Sequence, residues 1–128
     1  MEYYFSKTLA TSFEEAIKLT TEALKVEGFG VITVINMHEK LKEKLNVDFK
    51  RYTILGACNP PFAYKALQAE DKIGTMLPCN VLVIEQGQNN IEIAAVNPIA
   101  SMQAISNPAL SDVATQVTDR LKRVIDFL

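Results

Sequence analysis

Two cysteines, one histidine and a set of asparagine–proline junctions carry most of the chemistry that this 128-residue chain can offer. Cys58-Asn59-Pro60, Pro78-Cys79 and Asn97-Pro98 each combine a rigid turn with a thiol or an amide. Such junctions hold carbonyls, amides and thiols in fixed positions, which suits the recognition of a small ligand. Cys58 precedes a helix start at Asn59-Pro60, and the positive end of a helix favours a thiolate. Pro61 follows Pro60, so two of the four free N–H donors at that start are missing, and the usual phosphate cradle is reduced. Read as punctuation alone, the same residues are an asparagine cap, a proline first turn and small buried hydrophobes.

Other chemistries are thinner still. His38 is the sole histidine and is expected at the surface, so neither a Cys–His pair nor a Ser–His–Asp set is assembled. Cys58 and Cys79 stand 21 positions apart, which is not a zinc spacing, and no metal site is expected. Neither glycine-rich phosphate-binding motif occurs, and no cofactor is specified by these residues. Glu85 continues the Val81 and Val83 face, and reads as a strand-end carboxylate near solvent.

The elements that must position these residues follow from periodicity. Glu2 to Leu9 reads as a strand. Ser12 with Glu15 forms a capping box ahead of a helix with Phe13, Ala16, Ile17, Thr20 and Leu24 on one face, ended by Gly28. Phe29 to Ile35 is apolar on both faces and is predicted to be a strand covered on both sides. Asn36 with Glu39 predicts a second capped start, for a short helix to Asn46. Its Lys40, Lys42 and Lys44, with Lys50 and Arg51, are interrupted by acids and read as a solvated face.

Arg51 to Cys58 is the next strand, in which Gly56 marks a bulge or a close approach. A helix from Pro60 through Ala63, Ala66 and Leu67 fades near Gly74. Cys79 to Gln86 and Ile91 to Asn97 form a hairpin across a four-residue loop, Gly87 to Asn90. Pro98 to Ile105 holds a turn or a single helical turn. From Asn107-Pro108 the longest helix carries a stripe of Leu110, Val113, Ala114, Val117, Leu121, Val124, Ile125 and Leu128. The order predicts an α+β sandwich on a mostly antiparallel sheet, one domain over residues 1–128.

If those strands are antiparallel, the three junctions meet at one rim. Cys58, Asn59, Pro60, Pro78, Cys79 and Asn97 are therefore the candidate ligand-binding residues.

Composition narrows the partners. A net charge of −2, from 13 basic and 15 acidic side chains, gives no field to gather nucleic acid or anionic lipid. Apolar runs are strand-length, well below the ~20 residues of a membrane span. The first residues lack a basic region followed by an apolar stretch, so the cytoplasm is the expected location and both cysteines are expected as free thiols.

The string Tyr52-Thr53-Ile54-Leu55-Gly56-Ala57-Cys58-Asn59-Pro60, with Ala63, Ala66-Leu67, Gly74 and Leu77-Pro78-Cys79-Asn80-Val81, resembles the bacterial and archaeal family of domains of unknown function numbered 302. The similarity extends to Gly28-Phe29-Gly30-Val31 and Asn97-Pro98. It implies a β-α-β(4)-α sandwich of the TATA-binding-protein-like type, with two main helices and small extra ones, and it implies no reaction. DNA binding does not follow from such a fold, because function lives in sites.

Two functional expectations result. One is a non-catalytic module that binds an unidentified small molecule at the Cys58/Cys79/Asn97 rim, with a thiol-dependent enzyme or redox sensor using Cys58 and Cys79 as the alternative. The other is a homodimer through the sheet face that the long helices leave free, motivated by strands apolar on both sides.

Overall fold

Ser12 and Gly28 bracket the first helix as their chemistry requires. Ser12 Oγ accepts from the Glu15 N–H (3.1 Å), and Gly28 takes a left-handed φ of +87° just past the last turn. The computed structural model describes residues 2–128. Strand β1 (Tyr4–Leu9) leads into helix α1 (Phe13–Val26), then β2 (Gly30–Asn36), α2 (Met37–Leu45), β3 (Tyr52–Cys58) and α3 (Pro60–Ala69). A 3₁₀ turn (Asp71–Met76) precedes β4 (Cys79–Gly87), β5 (Asn90–Val96), the one-turn α4 (Pro98–Ser101) and the long α5 (Ala109–Phe127).

The five strands form one sheet in the order β1-β5-β4-β3-β2, and every neighbouring pair is antiparallel. Strands β2 to β5 meander, while α1 carries the chain from one edge of the sheet to the other. The fold class is α+β, and the sheet is antiparallel throughout. Helices α1 and α5 cover one face, where Leu55, Val81, Val83, Ile91, Ile93 and Ala95 are almost fully buried in a single core with Leu24, Leu121 and Val124. Among the described residues, the shallow trough on the other face is lined by strand residues and Tyr3, without a helix residue.

Four sequence expectations change. Strand β2 is an edge strand, not a covered one: its Ile32 and Val34 are 62% and 58% exposed, because the meander places it outside β3 with nothing beyond. Asn36 stands at the N-cap of α2 but does not cap it; its Oδ1 accepts from the Thr53 hydroxyl (2.8 Å), tying β2 to β3. His38 is half-buried, and its Nδ1 accepts from the Tyr52 N–H (2.9 Å). The hairpin loop shrinks to Gln88-Asn89, with Asn89 at a positive φ of 53° and the β4/β5 register shifting just before it, between Glu85 and Gly87.

Gly56 fulfils both readings of a strand glycine. The β2 register shifts opposite it, between Val31 and Thr33, and a Cβ on Gly56 would come within 2.1 Å of Thr33 Oγ1 and 2.8 Å of the Pro78 ring.

Candidate functional site

The antiparallel register brings the ends of β3 and β5 and the start of β4 to one rim. Ala57 pairs with Cys79, so Cys58 and Cys79 lie on adjacent strands one position out of register. Between this rim, α3 and α5 lies a cleft of about 260 Å³. Cys58, Asn59, Pro78 and Cys79 line it at the rim; Phe62, Ala63, Ala66 and Leu67 line it from α3; Val113, Ala114 and Val117 close it from α5. Phe29, Ala57, Leu77 and Met102 complete the interior, and the exposed Ile32 and Leu67 mark its mouth. None of these residues is charged.

The small residues explain why the space exists. Ala63 and Ala66 on α3 and Ala114 on α5 stand where larger side chains would close the gap between two helices and a sheet. Helix α3 is aimed by Pro60 and Pro61 at its first two positions. Asn59 at the N-cap makes no side-chain cap bond to α3. Instead its Nδ2 donates to the Glu27 carbonyl (3.3 Å), which also accepts from Arg120 Nη1 (3.1 Å). Asn59 therefore fastens the start of α3 to the end of α1, and Arg120 lies over the Phe62 ring (5.3 Å), bracing the same wall from α5.

Two sequence-predicted residues stand apart from the cleft. Pro60 is exposed on the outer side of α3. Asn97 sits on the same sheet rim but is committed elsewhere: its Oδ1 accepts from the Ile99 N–H (3.1 Å) and its Nδ2 donates to the Glu2 carbonyl (2.9 Å), closing α4 and the N-terminal segment onto β5. Strand order sets β4 between Asn97 and Cys58, and although the β4/β5 register carries Asn97 to the level of Cys79, its hydrogen bonds keep it out of the cleft lining. The helical wall, with Phe62, Val113 and Val117, was not assigned to the site from sequence. Its only signal was the run of alanines on an otherwise larger apolar stripe.

Both cysteines are free thiols, Cys58 half-buried and Cys79 buried. Burial, with the neighbouring Cys58 as a lesser cause, pushes the Cys79 thiol up to about 11. At neutral pH Cys79 is thus a protonated apolar wall and not a nucleophile. The carboxylate of Glu85 lies away from the cleft, held below the ordinary carboxylate range by its hydrogen bonds to Arg51. Among the described residues no group of three or more His, Cys, Asp or Glu side chains could hold a metal ion, and no helix is long and apolar enough to cross a membrane.

No curated protein matches the chain. A crystal structure of an uncharacterized conserved DUF302 protein from Bacillus stearothermophilus superposes with a TM-score of 0.90 at 31% sequence identity, over 98% of each chain. The profile of the domain of unknown function DUF302 matches residues 5–128, and the chain belongs to that family.

Proposed function

We propose that this domain is a non-catalytic binding module that takes a small, uncharged and mainly apolar molecule in the cleft between α3, α5 and the β3/β4 rim. The observation that carries this reading is the lining: about 260 Å³ bounded by apolar side chains, two thiols and one amide, without a charged group. A charged ligand would lose its hydration there with no counter-charge to replace it. A dry apolar cavity of about 150 Å³ can hold benzene, so this space suits a fused bicyclic ring or a chain of similar bulk. Asn59, whose Nδ2 is held by the Glu27 carbonyl, has its Oδ1 left as a side-chain acceptor at the wall.

A thiol-dependent reaction has less support, since the raised Cys79 thiol would have to ionise inside that wall. Thermal melting in the presence of indole tests the binding reading. At ten times its dissociation constant, indole should stabilise by about 1.4 kcal/mol, or about 5 °C for a domain of this size. Ala63→Leu fills the cleft from α3 and should melt normally while losing the response. An unchanged wild-type melting temperature with indole and with a set of other small bicyclic and aliphatic probes would reject the proposal.

A further inference from the structure

The face of the sheet opposite the helices carries an apolar row running across four strands. Register pairs Ala94 with Leu82, Leu82 with Ile54 and Ile54 with Ile35, so these side chains stand side by side with no charged residue among them. Ile84, pairing with Tyr52, continues the row but is already buried within the single chain, as is Ala94, so the accessible part of the row is Leu82, Ile54, Tyr52 and Ile35; Phe49, half exposed, leans on the Tyr52 ring at 6.2 Å. An antiparallel sheet with one wet face ordinarily alternates apolar inward and polar outward. Here the outward side is apolar along this row as well, with Ser6, Thr8, Asn80 and Glu92 around it.

Charge on this face is confined to one end. Lys50 Nζ donates to Gln86 Oε1 (2.9 Å), and Gln86 Nε2 donates to Glu92 Oε1 (2.9 Å), which makes a polar strip with a cation over β3 and an anion over β5. Strand β4 is the central strand of the five. A two-fold axis lying in the face along β4 lays β5 of one copy over β3 of the other. Leu82 then meets Leu82, the small Ala94 meets the larger Ile54, and Glu92 comes over Tyr52 of the second copy.

Five strands about 4.8 Å apart and some 20 Å long give a face on the order of 500 Å² in plane, which side-chain relief brings toward the roughly 800 Å² per partner of a standard interface. The edge strand β2 offers far less: beyond Ile35, which belongs to the row, it has two exposed apolar side chains, Ile32 and Val34, and is broken by the bulge at Ile32.

From this self-complementarity we infer that the open sheet face packs against a second copy of the same chain, as an isologous two-fold dimer. The full chain should run as a dimer by light scattering at about 100 µM, an association free energy well within reach of such a face. Leu82→Lys should raise the dissociation constant at least a hundredfold, about the penalty for burying two unpaired ammonium groups, while leaving the melting transition cooperative. Should Leu82→Lys fail to fold, Ile35→Lys, exposed at the end of the same row, takes its place. Val34→Lys on the β2 edge should leave the dimer intact. A monomeric wild type at that concentration, a dimer indifferent to Leu82→Lys or its substitute, or a dimer broken by Val34→Lys alone would each overturn the inference.

Discussion

At the scale of single residues, Cys79 is the most informative side chain in the cleft. Its thiol pKa is raised from an ordinary 9.0 to about 11, chiefly by burial. A raised acid contributes its stability below the unfolded value and loses it as pH climbs through the folded one. Wild type should therefore lose about 2 to 3 kcal/mol of unfolding free energy between pH 9 and 11 relative to Cys79→Ala, which has no thiol to ionise. Chemical denaturation across that range measures the difference, and equal slopes for the two proteins would disprove the assignment. The same burial should keep Cys79 unreactive toward a disulfide reagent in the native protein, leaving the half-buried Cys58 to react first.

At the scale of elements, Arg51, one residue ahead of β3, ties the start of that strand to two others. It donates to both carboxylate oxygens of Glu85 on β4 (2.7 and 3.2 Å), pairs with Glu14 in the first turn of α1, and lies 4.6 Å over the Phe13 ring. Glu85 is held low by Arg51, and Glu14 by backbone hydrogen bonding at the helix start and then by Arg51. Depressed carboxylates stabilise above their unfolded value and lose that contribution as pH falls through the folded one. Arg51→Met should lower the melting temperature by a few degrees at pH 7, a modest effect because the groups are solvent-exposed. Wild type and variant should converge as pH drops below 4.5; a gap that persisted at pH 2 would point to packing on Phe13 as the source.

At the scale of the whole molecule, α1 and α5 close one core over the sheet, and two hydroxyls are buried there without hydrogen-bond partners among the described residues, Thr20 on α1 and Thr118 on α5. An unpaired buried hydroxyl costs about 1 to 3 kcal/mol, and an apolar group of the same shape removes the cost. Thr118→Val should stabilise by about 1 kcal/mol in urea unfolding, with an unchanged slope because the buried surface is the same. Destabilisation would mean that the hydroxyl has a partner such as the backbone carbonyl one turn earlier.

Local chemistry in the chain was enough for the elements themselves. Ser12 and Gly28 bound α1, the proline pair starts α3, and the long apolar stripe of α5 needs no tertiary context, since each depends on residues within a turn or two. Periodicity also placed Cys58, Cys79 and Asn97 on one rim, because antiparallel strands alternate the ends they present. It could not separate a strand covered on both faces from an apolar strand left at an edge: Gly30 to Asn36 has the same alternation in either position, and only the meander order decided that β2 is outermost.

Nor could spacing decide what the two asparagines do. Asn36 and Asn59 both sit where a cap belongs, yet each spends its side chain on a partner distant in sequence, Thr53 and the Glu27 carbonyl. The cleft is likewise a property of three elements at once, since the alanines of α3 and α5 leave space only when both helices are laid against the same sheet rim. What the sequence determined alone was therefore every feature whose partners lie close along the chain. What the tertiary structure decided was which polar groups are already satisfied, and hence which of the conspicuous residues remain free to meet a ligand.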